Sequence, residues 1–223
     1  MINWHEIETV LLDMDGTLLD LHFDNYFWLE HLPRRYAETY QLDLAAATAE
    51  LENHIKSSEG TLQWYCLDHW SDLVKLNIPE LKKEIAHKIQ VRPHAETFLE
   101  QLKQLGKKLV LITNCHRKGL ELKLAVTKID KYLDIVISSH DFNTPKEEQK
   151  FWHCLQEIEQ FDTQRTLFID DTVRVLQSAQ RYGIKYLVCV NQPDSQKPPI
   201  KSGHFIDICH FDEIMPDAKK ISE

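Results

Sequence analysis

Apolar residues follow two rhythms along this chain. Short, nearly unbroken apolar runs close on polar turns at residues 9–12, 108–113, 134–138, 165–170 and 185–190. Runs of that length bounded by turn residues predict strands covered on both faces, as in a parallel sheet. Between them the spacing turns helical, from Pro93 to Gly106, from Arg117 to Lys128, and from Thr172 to Arg181 with a stop at Gly183. Another helix is predicted to open at Thr144-Pro145-Lys146-Glu147. There Thr144 would be the N-cap, Pro145 the first helical residue, and Glu147 the far half of a capping box. Strands alternating with helices predict an α/β fold with a doubly wound parallel sheet. Phe205 to Ile214 predicts one last short element, and the polar residues Asp217 to Glu223 are expected to fray.

One stretch breaks the alternation. Residues 22–90 hold a single glycine, Gly60, and no strand pattern. Phe23, Tyr26, Phe27, Leu29 and Leu32 recur at helical spacing, as do Leu62, Tyr65, Cys66, Trp70, Leu73 and Leu76. Pro79 suits the first turn of a further helix. The expected organisation is an α/β core from residues 1–20 and 91–223, with an all-helical insertion over 21–90.

The chain has 223 residues, 43% of them hydrophobic, enough for one full core and a smaller module. Twenty-six basic residues against thirty-five acidic ones give a net charge of −9. That excludes binding of a nucleic acid polymer by bulk electrostatics. It leaves room for a small phosphate ester, where local ions dominate. Five scattered cysteines without a C-x-x-C pattern fit a reduced, cytoplasmic protein. No stretch is long and apolar enough for a signal peptide or a membrane span, so no membrane partner is expected.

The chemistry collects at strand ends. The first run delivers Asp13-Met14-Asp15-Gly16-Thr17. Residues i and i+2 share a side in extended chain, so the two carboxylates converge at the mouth of a sheet, where ligands bind. A lone D-x-D is usually an Asx turn; directly after an apolar strand and before Gly-Thr it reads as a site. One carboxylate can attack phosphorus, and the other can pass a proton. The second strand ends in Thr113-Asn114, with a hydroxyl and amides suited to phosphate oxygens. Lys146, in a predicted first helical turn, opposes the helix dipole and so needs an anionic partner such as phosphate and Asp13. The fourth strand ends in Asp170-Asp171, a second carboxylate pair. Asp13, Asp15, Asp170 and Asp171 together offer an oxygen-only site for Mg²⁺. Adjacent side chains on a strand diverge, so either Asp170 or Asp171 is the direct ligand. The insertion is rich in aromatics, and aromatic faces stack on bases. Asn25, Trp64, Tyr65 and Asp68 are the candidates for facing a base. The twelve histidines form no H-x-x-x-H pattern, and His116 and His140 read as satisfied loop residues.

These stretches, in this order, resemble the four motifs of the haloacid dehalogenase-like (HAD) hydrolases, and the insertion resembles their C1 cap. The resemblance implies Asp13 as nucleophile, Asp15 as general acid/base, Thr113 and Lys146 on the phosphate, and Asp171 as the favoured metal ligand. Asp20, Phe23-Asp24-Asn25-Tyr26-Phe27-Trp28, Trp64-Tyr65-Cys66-Leu67-Asp68, Thr113-Asn114 and Pro145-Lys146-Glu147 further resemble the bacterial GMP/IMP 5′-nucleotidases. That implies a purine nucleoside monophosphate as substrate and Asn114 as a substrate contact. The core motifs alone leave open a sugar phosphate or phosphoglycolate as substrate. A dehalogenase needs no acid at Asp15, which disfavours that chemistry. A non-catalytic phosphate-binding protein would lack one of the motif residues, and none is missing.

Overall fold

The computed structural model describes residues 2–58 and 60–216; the predicted frayed tail, Asp217 to Glu223, lies outside the described residues. Six strands, β1 (Thr9–Leu12), β2 (Lys108–Thr113), β3 (Ile135–Ser138), β4 (Thr166–Asp170), β5 (Tyr186–Val190) and β6 (Ile206–Ile208), form one sheet in the order β3-β2-β1-β4-β5-β6. Every pairing is parallel. The chain winds from β1 out to β3, then crosses to β4 on the other side of β1. That reversal opens a crevice at the carboxyl ends of β1 and β4. Leu12 sits abreast of Ile169 and Leu111, and the Asp13 amide donates to the Ile169 carbonyl at 3.0 Å. The polar residues after these three strands therefore emerge side by side.

The unbroken apolar runs reflect two covered faces. Val10, Leu12, Leu109, Leu111, Leu167 and Ile169 join one buried cluster, with Phe98, Leu120 and Phe211. Leu11, Val110, Ile112 and Phe168 join the other, with Phe151, Trp152, Val175 and Leu176. Neighbouring strand residues point to opposite faces, so both must be apolar when helices lie on each side.

The insertion is helical, with no strand among its described residues: α1 (His22–Tyr26), a π turn (Phe27–His31), α2 (Leu32–Tyr40), α3 (Leu44–Ser58), α4 (Leu62–Tyr65), α5 (Leu67–Val74), α6 (Ile78–Glu84) and a 3-10 turn (Ala86–Lys88). Phe23, Phe27, Leu67, Trp70 and Ile78 share the first sheet face's cluster. The two connecting segments meet in an isolated bridge: the Asp20 N–H donates to the Gln90 carbonyl and the Arg92 N–H to the Leu18 carbonyl, each at 2.9 Å. Two residues leave the predicted apolar stripes. Leu29 is 51% exposed and Leu73 39%. The π turn inserts an extra residue per turn, which rotates Leu29 off the stripe and swings Trp28 inward.

The remaining helices are α7 (Ala95–Gln104), α8 (Arg117–Thr127), α9 (Gln149–Ile158) and α10 (Val173–Tyr182). Helix α7 starts at Ala95 and not at Pro93, because His94 is left-handed, at φ 64. The capping box expected at Thr144 does not form, and α9 starts at Gln149. Its would-be members have other partners. Thr144 donates its hydroxyl to Glu148, the Lys146 amide donates to the Asn114 side chain at 3.0 Å, and Glu147 is drawn toward the insertion. Lys146 thus sits in a tight turn ahead of α9, not in its first helical turn. No helix among the described residues is long and apolar enough to cross a membrane.

Candidate active site

At the crevice, Asp13 and Asp170 are both buried and share one ammonium. Lys146 Nζ ion-pairs with Asp13 and with Asp170, the latter at 2.7 Å, and also reaches the Ile112 carbonyl at 3.3 Å. Burial opposes the lysine's charge, but Asp13 and Asp170 outweigh it and hold the amine above its ordinary range. Asp170 also accepts the Thr172 amide at 2.8 Å. Asp171, less buried, points across the crevice toward Gly16. A β-carbon on Gly16 would meet Asp171 Oδ2 at 2.5 Å, and Gly16 has φ +88, so only glycine fits the close approach.

Carboxylate oxygens of Asp13, Asp170 and Asp171 lie within 4.8 Å of one another. Burial pushes the Asp13 carboxyl up to about 6, with Lys146 pulling it back and Asp170 adding to the rise. Burial, with Asp170 and Asp13, drives Asp171 well above the carboxylate range. Three crowded carboxylates against one ammonium favour a divalent cation, and an all-oxygen donor set suits a hard one. The residues present therefore fit Mg²⁺.

Asp15 is placed differently from the expectation that it joins this set. Its carboxylate turns away to Lys123 Nζ at 2.6 Å. Lys123 is buried and also binds Asp24 at 2.7 Å; Asp24 in turn binds Lys82 of α6 at 2.7 Å. Burial opposes charge on Lys123, but Asp15 and Asp24 outweigh it and hold the amine well above its usual range. For Asp15, burial wins and raises the carboxyl to about 6. The chain Asp15–Lys123–Asp24–Lys82 ties the strand-end loop to α8 and to two helices of the insertion. Sequence reasoning missed it. The available signal was Lys123 on the apolar side of α8, next to Leu120 and Leu124, where a lone cation needs anions. Lys123→Met should leave two buried carboxylates without their shared partner. We expect a loss of about 3–5 kcal/mol in urea unfolding. A loss under about 1 kcal/mol, the ordinary effect of a surface pair, would contradict this reading of the network.

Thr113 is buried, and its hydroxyl oxygen accepts the Cys115 amide at 3.0 Å, which leaves its proton for a ligand. Asn114 is placed as a brace. Its oxygen takes the Lys146 amide, and its nitrogen donates to Glu147 at 3.0 Å. Glu147 also accepts the Tyr65 hydroxyl at 2.9 Å, joining α4 to the core. Burial, with Glu147, holds the Tyr65 phenol far above its usual range.

A cavity of ≈ 200 Å³ lies between insertion and core, with Asp15 in its wall. Trp28, Trp64, Tyr65, Asn25 and Lys82 line it. Asn25 reaches the cavity while donating to Asp194 at 2.6 Å. Asp68 does not line it. It is exposed and pairs with Lys118 at 2.6 Å, because its first-turn position on α5 faces α8. Trp28 takes a place that sequence reasoning did not assign, through the π turn. His116 lines the cavity, and His140 packs edge-on against it at 4.9 Å between ring centroids.

A switch-point crevice that gathers the buried carboxylates of Asp13 and Asp170, their shared Lys146 and the neighbouring Asp171 is the site of a hydrolase fold. The chain belongs to the haloacid dehalogenase-like hydrolases, whose sequence profile matches residues 10–189. It is an enzyme of the phosphatase kind. Over 194 residues it is 41% identical to the GMP/IMP nucleotidase YrfG of Escherichia coli, covering 87% of each chain. Among solved structures, a HAD phosphatase from Thermococcus onnurineus superposes with a TM-score of 0.79 at 23% identity, covering 93% of this chain and 96% of that one. The HAD-hydrolase YfnB of Bacillus subtilis, solved bound to magnesium, superposes at 0.65 with 18% identity, covering 93% and 96%. Enzymes of this superfamily generally use Mg²⁺.

Proposed function

We propose that this enzyme removes the 5′-phosphate of purine mononucleotides, GMP and IMP foremost, and that residues 21–90 act as its cap. The observation that supports this most is the aromatic cavity with Asp15 in its wall. A base held by Trp28, Trp64 and Tyr65 would put its ribose 5′-oxygen toward that carboxyl. The 41% identity to a GMP/IMP nucleotidase supports the same reading.

Asp13 attacks phosphorus in line through a carboxylate oxygen, and the bond from phosphorus to the ribose 5′-oxygen breaks. Asp15, which burial keeps partly protonated near neutrality, gives its proton to that oxygen. Asp15 then takes a proton from water, whose oxygen attacks the aspartyl-phosphate. That step releases inorganic phosphate and restores Asp13. Lys146 and the Thr113 hydroxyl neutralise charge on the transferring oxygens. Asp13, Asp170 and Asp171 would hold Mg²⁺, which supplies charge neutralisation at the phosphoryl group. Lys123 orients Asp15 and keeps it from the nucleophile. A cavity of ≈ 200 Å³ is below the volume of about 300–1,000 Å³ common for ligand sites. Nucleotide admission therefore requires the cap to lift, parting Tyr65 from Glu147.

Stacking contributes about 1–3 kcal/mol per base, and sugar phosphates offer no stacking face. Lys82 and Asn25 bring donors to the cavity wall, which a purine 6-oxo group accepts and a 6-amino group does not. We expect kcat/KM to be highest for GMP and IMP, lower for AMP, and lowest for pyrimidine nucleotides and sugar phosphates. Trp64→Ala should flatten that ranking more than it slows a generic aryl phosphate. A sugar phosphate outranking GMP and IMP would overturn the nucleotidase reading and leave the phosphatase chemistry standing.

A further inference from the structure

Three potential metal ligands meet where the insertion approaches the loops after β2 and β3. Cys66 opens α5 in the insertion, His116 precedes α8, and His140 lies in the 3-10 turn Ser139–Asp141 after β3. One ligand atom from each lies within 4.8 Å of the others. We propose that Cys66, His116 and His140 form a binding site for a borderline-soft divalent cation of the zinc class, separate from the site of Asp13, Asp170 and Asp171.

One sulfur and two imidazoles suit zinc, whereas an all-oxygen set suits magnesium. Tetrahedral zinc with ordinary bond lengths separates such ligand atoms by about 3.3–3.6 Å. Side-chain adjustments of about 1 Å bring this trio to that spacing. Three protein ligands leave a fourth position for water.

His140 Nε2 is buried without a hydrogen-bond partner. The Asn114 backbone lies against the same ring and favours its protonated form. Metal-bound histidines are held by such a neighbouring backbone or carboxylate group beside the ring. A buried nitrogen lone pair with no donor is costly unless something binds it. Cys66 is a free thiol, and its sulfur accepts the His69 amide at the start of α5. Access is open, since Cys66 and His140 both line a cavity of ≈ 320 Å³ on the surface. His116 Nδ1 accepts the Lys118 amide at 3.4 Å, which leaves Nε2, 3.7 Å from Asp68, as the nitrogen free to ligate.

A bound ion would cross-link the insertion to two core loops. On binding, the Cys66 thiol loses its proton to solvent, and no redox change occurs.

The test uses the full chain in excess Mg²⁺, so that the carboxylates are occupied. Co²⁺ should produce the thiolate-to-metal absorption that an oxygen-only site cannot give, and Zn²⁺ should displace it at one equivalent. Cys66→Ser should abolish the band. His140→Ala should weaken Zn²⁺ binding by more than about 100-fold, beyond the range seen for outer partners of a metal. Cys209, whose sulfur lies 3.7 Å from His210, is the competing thiol, and Cys209→Ser should leave the band intact. In the unsubstituted protein, Zn²⁺ should protect Cys66 from alkylation, read by peptide mapping. Absence of the band, its survival in Cys66→Ser, or unprotected Cys66 at saturating Zn²⁺ would overturn the proposal. The peptide-mapping arm decides the matter even where a variant misfolds.

Discussion

Asp13→Asn should abolish phosphate release and leave the protein folded. An amide oxygen does not form the aspartyl-phosphate, so no slower version of the same step remains. Losing a covalent nucleophile that acts in concert with its neighbours costs several orders of magnitude in turnover, about 10⁴ or more. Stability should not fall. Asp13 is buried, and its carboxyl already rises to about 6 because burial disfavours its charge. The neutral amide relieves the crowding with Asp170 and still accepts from Lys146. Circular dichroism and urea unfolding check the fold, and a phosphate assay checks turnover. Residual activity above about a tenth of the original would remove Asp13 from the nucleophile's role, given those typical losses.

Chelation should have a comparably large effect. With EDTA present, turnover should fall to background, and added Mg²⁺ should restore it. Asp13, Asp170 and Asp171 crowd their oxygens within 4.8 Å, with Lys146 as the shared cation on Asp13 and Asp170. That excess of negative charge repels a phosphate dianion until a divalent ion offsets it. Ca²⁺ should inhibit, because its longer and looser coordination misplaces the phosphoryl group. Turnover that persists undiminished in chelator would show that Lys146 alone neutralises the substrate, and the three-carboxylate assignment would be lost. Asp171→Asn separates the two roles further. It should raise the Mg²⁺ concentration needed for half-maximal activity while sparing the Lys146 pairs.

Much of this enzyme was legible from residue order alone. Strands buried on both faces must be continuously apolar, so β1 to β5 announce themselves within a residue or so of where they lie. Their carboxyl ends gather the candidate site residues, because a parallel sheet aligns all such ends along one edge. Asp13, Thr113, Lys146, Asp170 and Asp171 could therefore be named without coordinates. A long glycine-poor stretch at helical spacing is equally local information, and it marks the insertion.

Tertiary structure decided what depends on partners distant in sequence. The capping box at Thr144 failed because Asn114 and Tyr65, from other elements, hold Lys146 and Glu147. Asp15 faces Lys123, 108 positions away, and not the cation site, a choice made by which side of β1 carries the insertion. Asp68 pairs with Lys118 of α8 and misses the cavity, while Trp28, in the π turn, lines it unassigned. Cys66, His116 and His140 share no spacing pattern, and only the meeting of three loops brings them together. Local periodicity dictates elements and the edge on which polar groups gather, since each residue sees its own neighbours in either state. Orientation and partnership of buried charges are settled by desolvation, which acts only once the elements have packed.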